Sequence, residues 1–89
     1  MKIVAVCGLG MGSSLILRMN IEDVLKKNNI KAVTEHTDVS SIEGNNPDII
    51  VTSAELVKNL KETKAKVIVV KNFFDKDEIE KCFKDEKII

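Results

Sequence analysis

One cysteine, three alternating glycines and two serines stand together in Cys7-Gly8-Leu9-Gly10-Met11-Gly12-Ser13-Ser14. The run follows an apolar, β-branched stretch and opens the longest helical pattern in the chain. A helix N-terminus carries free backbone N–H groups and the positive end of the helix dipole, and it binds phosphate without further help. Three glycines let the backbone curl around an anion, since glycine tolerates positive φ and has no side chain in the way. Ser13 and Ser14 are read as hydroxyl donors at the helix cap. The donors that hold phosphate also stabilise a thiolate: helix N-termini lower a cysteine from about 8.5 to roughly 3.5–7.5. Cys7 is therefore the candidate nucleophile, and the backbone from Gly8 through Leu9, Gly10, Met11, Gly12 and Ser13 to Ser14 is its candidate phosphate cradle.

Other glycine-loop chemistries fit less well. A Walker loop requires a lysine after its last glycine, and serine follows Gly12. A dinucleotide fingerprint reads G-x-G-x-x-G, whereas this loop is G-x-G-x-G. Glu35, read at the end of the second strand, occupies the place of a ribose-binding acid, but the chain is too short for the two-halved dinucleotide fold. The bland alternative is a tight turn beside a buried, inert cysteine. Against it, three of the chain's four glycines fall within five residues, where a plain turn needs one.

The elements that must position this loop are four β-branched runs at Ile3–Val6, Lys31–Glu35, Asp48–Thr52 and Lys66–Val70. The first, third and fourth are nearly continuous apolar runs, as in strands covered on both faces. Ser13 to about Asn28 places Leu17, Ile21, Val24 and Leu25 at helical spacing. A short helix is predicted over Ala54–Leu60, and another over Asp75–Lys84 with Asp75 as N-cap and Ile79 and Phe83 inward. Val39–Asn46 is polar with room for a helical turn, and Gly44-Asn45-Asn46-Pro47 is a breaker. This alternation predicts an α/β fold of flavodoxin/Rossmann-like, three-layer form. Its parallel sheet has strand order 2-1-3-4 with helices on both faces. Strand one then lies beside the point where strand order reverses, at whose carboxyl edge ligands sit.

Length and composition bound the function. The 89 residues fit one domain, 1–89, with one modest core. Lys plus Arg equals Asp plus Glu, at 14 each, so no global field attracts nucleic acid or an anionic membrane. The three phenylalanines are the whole aromatic content, which leaves no ordinary base-stacking platform. No apolar stretch approaches the roughly 20 residues of a bilayer span, and no signal-peptide pattern precedes the first strand. The expected location is cytoplasmic. In that compartment two distant cysteines, Cys7 and Cys82, imply neither a structural disulfide nor a zinc site.

The loop Val6-Cys7-Gly8-x-Gly10-x-Gly12-Ser13-Ser14-Leu15, with Met19 and Val24-Leu25, resembles the IIB component of the bacterial sugar phosphotransferase system, most of all its ascorbate/galactitol type. Similar segments recur at Glu35–Val39, Asp48–Ser53 and Val67–Phe73, so the resemblance covers nearly the whole chain. It implies a phosphotransferase. A phosphohistidine on a IIA protein donates to Cys7, and the phosphocysteine donates to a carbohydrate held by the membrane IIC component. No cofactor is implied, because phosphate arrives covalently. The loop is also similar to the C-x5-R-S loop of low-molecular-weight tyrosine phosphatases, but Ser13 stands at the arginine position. Without a guanidinium clamp, hydrolysis is under-stabilised, which favours a carrier. The alternatives are such a phosphatase and a non-catalytic thiol-sensing module.

Other residues are read against blander roles. His36 is taken as a surface histidine at a strand end, the alternative being approach to the phosphoryl group or a partner. Asp38 is taken as a turn or cap residue, and Arg18 as part of a solvated helix side. Leu9, Met11, Leu15 and Met19 form either a docking patch for IIA and IIC or a surface covered by neighbouring loops. Cys82 is assigned to core packing. Lys71 and Asn72 lie on the catalytic edge but too far across the sheet to touch phosphate, and Lys81–Lys87 reads as a solvated helix end.

Overall fold

Alternate residues of the first strand are all apolar, and both of its faces are buried: Ile3, Val4, Ala5 and Val6 are fully excluded from solvent. A strand with two buried faces must be central, and central is where it lies. The structure is a computed structural model that describes residues 1–7, 11–38, 46–58, 60 and 65–88, with the backbone alone for Cys7, Met11, Gly12 and Ser13. Its elements are β1 (Lys2–Cys7), α1 (Met11–Lys27), β2 (Val33–Asp38), β3 (Ile49–Thr52), α2 (Ala54–Val57), β4 (Lys66–Val69) and α3 (Lys76–Asp85). The four strands form one sheet of order β2-β1-β3-β4, and each neighbouring pair is parallel. The predicted α/β class and strand order 2-1-3-4 both hold.

The period-2 alternation of β1 divides the core in two. Ile3 and Ala5 join Leu17, Ile21, Val24 and Leu25 of α1 and Ile79 and Phe83 of α3 in the larger cluster. Val4, Val6 and Ile50 face the other way, with Leu60, Ala65 and Val67 packed against them. The four α1 residues expected inward are thus all buried. Each such side chain contributes about 1.5–3 kcal/mol on burial.

Boundaries differ from expectation where local chemistry outweighs composition. The second strand begins at Val33 rather than Lys31. α1 ends in a left-handed residue, Asn29, with φ 57°; Ile30 N–H donates to Leu25 O at 2.9 Å and Asn29 N–H to Lys26 O at 3.2 Å. This Schellman closure uses Ile30 as the apolar plug, so pairing with β1 starts only at Val33. Asn46, within the predicted breaker, takes φ 45°; Val39 to Asn45 lie outside the described residues. α2 is shorter than predicted, ending at Val57. β4 is an edge strand, and Val69 is exposed rather than covered. α3 is capped by Asp75, whose side chain accepts from the N–H groups of Asp77 and Glu78.

Candidate active site

Cys7 is the last residue of β1, and its register partner on β2 is Asp38. Only three residues intervene before Met11 begins α1. The sulfur-bearing residue therefore ends the strand at which the sheet order reverses, immediately ahead of a 17-residue helix. The first four N–H groups of an α-helix have no intrahelical acceptor, and this helix carries no acidic residue in its first turn. Gly8, Leu9 and Gly10 lie outside the described residues. Ser13 and Ser14 are the third and fourth residues of α1, not its cap as expected. Serine's cap preference made Ser13 the start signal, yet the helix takes Met11 and Gly12 into its first turn. Ser14 is buried.

Neighbouring strands brace this edge. The Thr52 hydroxyl, fully buried at the end of β3, donates to the carbonyl of Val6 at 3.2 Å. Lys71 and Asn72 serve α3: their N–H groups donate to the Glu78 carboxylate at 2.6 and 3.0 Å. Asn20 of α1 donates from Nδ2 to the Phe73 carbonyl at 2.7 Å, tying the helix to the segment after β4.

Two sequence expectations are corrected on the flank facing β2. Arg18 is not a lone solvated arginine. Its Nε donates to Glu22 Oε1 at 3.0 Å, and its Nη1 lies 3.1 Å from His36 Nδ1. His36 is accordingly a partnered residue within β2, not a surface histidine at the strand end. Thr34 completes the group by donating to Glu22 Oε1 at 2.7 Å. That hydroxyl first, and Arg18 next, hold the Glu22 carboxyl below its ordinary value against the opposing effect of burial. Arg18 and Glu22 are spaced i,i+4 on a helix and Thr34 and His36 i,i+2 on a strand, so periodicity puts each pair on one face of its element, while the pairing of the two faces comes only from the packing of α1 against β2. Glu35 is mid-strand, not at a strand end, and pairs with Lys2 Nζ at 2.9 Å.

Leu15 and Met19 are exposed on α1, at 43% and 56%, while Leu9 and the side chain of Met11 lie outside what is described. Cys82 is half-buried against the larger core, as expected of packing. Burial first, then the charge of Glu78, pushes its thiol up, which makes it a poor nucleophile. Among the described residues, no helix is long and apolar enough to cross a membrane.

The family described as "PTS system, Lactose/Cellobiose specific IIB subunit" matches residues 2–85. Over 85 residues the chain is 31% identical to a Mycoplasma pneumoniae protein described as "Ascorbate-specific PTS system EIIB component", spanning 92% of this chain and 90% of that one. A Shigella sonnei protein of the same description is 33% identical over 70 residues, 76% of this chain and 69% of its own. One from Salmonella typhimurium is 31% identical over the same shares.

Proposed function

This chain belongs to the IIB family of the phosphotransferase system and is a phosphotransferase component of it, and from that premise we propose that Cys7 is its phosphoryl carrier. The thiolate of Cys7 attacks phosphorus on the phosphohistidine of a IIA protein. The P–N bond breaks as the S–P bond forms, and the histidine nitrogen keeps the electron pair. A hydroxyl of the carbohydrate held by the IIC component then attacks phosphorus; the O–P bond forms as the S–P bond breaks, the sulfur keeps the electron pair and leaves as the Cys7 thiolate, and the hydroxyl proton passes to solvent. Gly8 to Ser14 form the oxyanion cradle through their backbone N–H groups.

One observation carries this reading: Cys7 ends the central strand with three residues between it and the amino end of α1. That end supplies partial positive charge both to the thiolate and to the phosphoryl oxygens it would hold. Ser13 occupies the position of a phosphatase arginine, which supports transfer over hydrolysis and a long-lived phosphocysteine. Three relatives described as ascorbate-specific support ascorbate as the carbohydrate. We take the protein to act in the cytoplasm as a single domain, residues 1–89, meeting IIA and IIC in turn through the loop and the exposed Leu15–Met19 side of α1.

The test is to phosphorylate the protein with the general phosphotransferase enzymes and a IIA protein, and then remove the donors. Retention of the label alone, with its discharge onto ascorbate when IIC-bearing membranes are added, is expected. Rapid release as inorganic phosphate would overturn the carrier reading.

A further inference from the structure

α1 is held to the sheet by two kinds of contact that differ in what they fix. The apolar side, Leu17, Ile21, Val24 and Leu25, is buried in the core, but apolar attraction is non-directional. Direction comes from the polar flank. A guanidinium has no acceptor, so the 3.1 Å approach of Arg18 Nη1 to His36 Nδ1 requires the Nδ1 lone pair. The bond therefore forms with the tautomer that leaves Nδ1 free to accept. One turn on, Glu22 Oε1 accepts both Arg18 Nε and Thr34 Oγ1. Two residues of α1 thus grip alternate residues of β2, and these are the register partners of Ile3 and Ala5 on the strand that ends at Cys7.

We propose that Arg18 and His36 are positioning residues for phosphoryl transfer: their hydrogen bond, with the Glu22–Thr34 bond beside it, sets where the amino end of α1 stands relative to Cys7. The inference rests on the reading of Cys7 as the phosphoryl acceptor. Arg18 is seven residues from Met11, about 10 Å along the axis, and a helix transmits displacement over two turns as a rigid body. The field of a helix end falls off within its first turn, so a small slide of α1 weakens its hold on a thiolate.

The experiment reads Cys7 itself in a Cys82→Ser background, where alkylation by iodoacetamide reports one thiol. A small reagent needs no docking partner, so loss of a docking contact alone leaves its profile unmoved. His36→Phe keeps a ring and removes the acceptor; His36→Asn keeps an acceptor oxygen at the place of Nδ1; Arg18→Met removes the donor. Expected are an alkylation-versus-pH profile displaced upward by about one unit in His36→Phe and Arg18→Met, an about tenfold loss of thiolate at neutral pH, and recovery in His36→Asn. Nitrogen-15 spectra of the parent should find His36 Nδ1 unprotonated. Unmoved profiles in folded His36→Phe and Arg18→Met, or a proton on Nδ1, would overturn the proposal. Should the parent never accept phosphoryl while the profiles still move, the assignment of Cys7 as carrier falls and the positioning role stands.

Discussion

The Thr52 hydroxyl donates to the Val6 carbonyl at 3.2 Å from a fully buried position, joining the end of β3 to the residue before Cys7. The bond crosses between strands at the one edge where chemistry is expected. Thr52→Val preserves shape and removes the donor. A lost internal hydrogen bond of this kind is worth about 1 kcal/mol. We expect a loss near that size in urea unfolding, with slower phosphoryl uptake by Cys7. Stability and uptake both matching the parent would mean that the bond does not hold the strand end.

Met19 stands more than half exposed on α1, next to the polar flank that carries Arg18. Met19→Asp should leave stability within about 0.5 kcal/mol, as surface changes usually do. Transfer from IIA should slow while alkylation of Cys7 stays at the parent rate. Unaltered transfer kinetics would remove the exposed side of α1 from the docking surface.

Much of this arrangement is legible in the residues. Valine and isoleucine runs alternating with one long and one short helical segment, and followed by a second short one, argue for a parallel sheet, and the glycine cluster after the first run marks the edge that matters. Asp75 as a cap and Ile79 and Phe83 as inward residues follow from spacing alone, and all three hold. What composition hides is tertiary. Lys31 and Ala32 look like strand, but the closure of α1 through Asn29 and Ile30 delays pairing until Val33. Val69 looks like a covered strand residue because an apolar run does not reveal that its strand is an edge. Arg18 and His36 look solvated in isolation, since their partnership exists only once α1 lies against β2.

Acid should destabilise the fold through its carboxylates. Glu22 is held below its ordinary value of 4.5 chiefly by the Thr34 hydroxyl, Asp23 below 3.8 by Lys76, and Glu80 below 4.5 by Asn28. For a carboxyl lowered in the folded state, stability is present in full above the unfolded value and lost as pH falls through the folded one. Unfolding midpoints should therefore drop increasingly below pH 4.5. Glu22→Gln, which cannot lose charge, should fall less steeply; an equal slope would show that Glu22 does not contribute.

Asp75 accepts from Asp77 and Glu78 N–H groups at 3.0 and 3.2 Å. Asp75→Ala removes both bonds at an exposed helix start, and caps of this kind are worth about 1 kcal/mol. Calorimetry should register that loss, with Cys7 alkylation unchanged because the cap acts on α3 and not on the loop after β1. A fall in Cys7 reactivity would tie α3 to the site.

The most direct measurement is intact mass after incubation with the general phosphotransferase enzymes and a IIA protein, comparing the parent, Cys7→Ser and Cys82→Ser. The parent and Cys82→Ser should each gain one phosphoryl group, and Cys7→Ser none. A phosphoryl group on Cys7→Ser, or none on the parent, would contradict the assignment of Cys7 as the carrier.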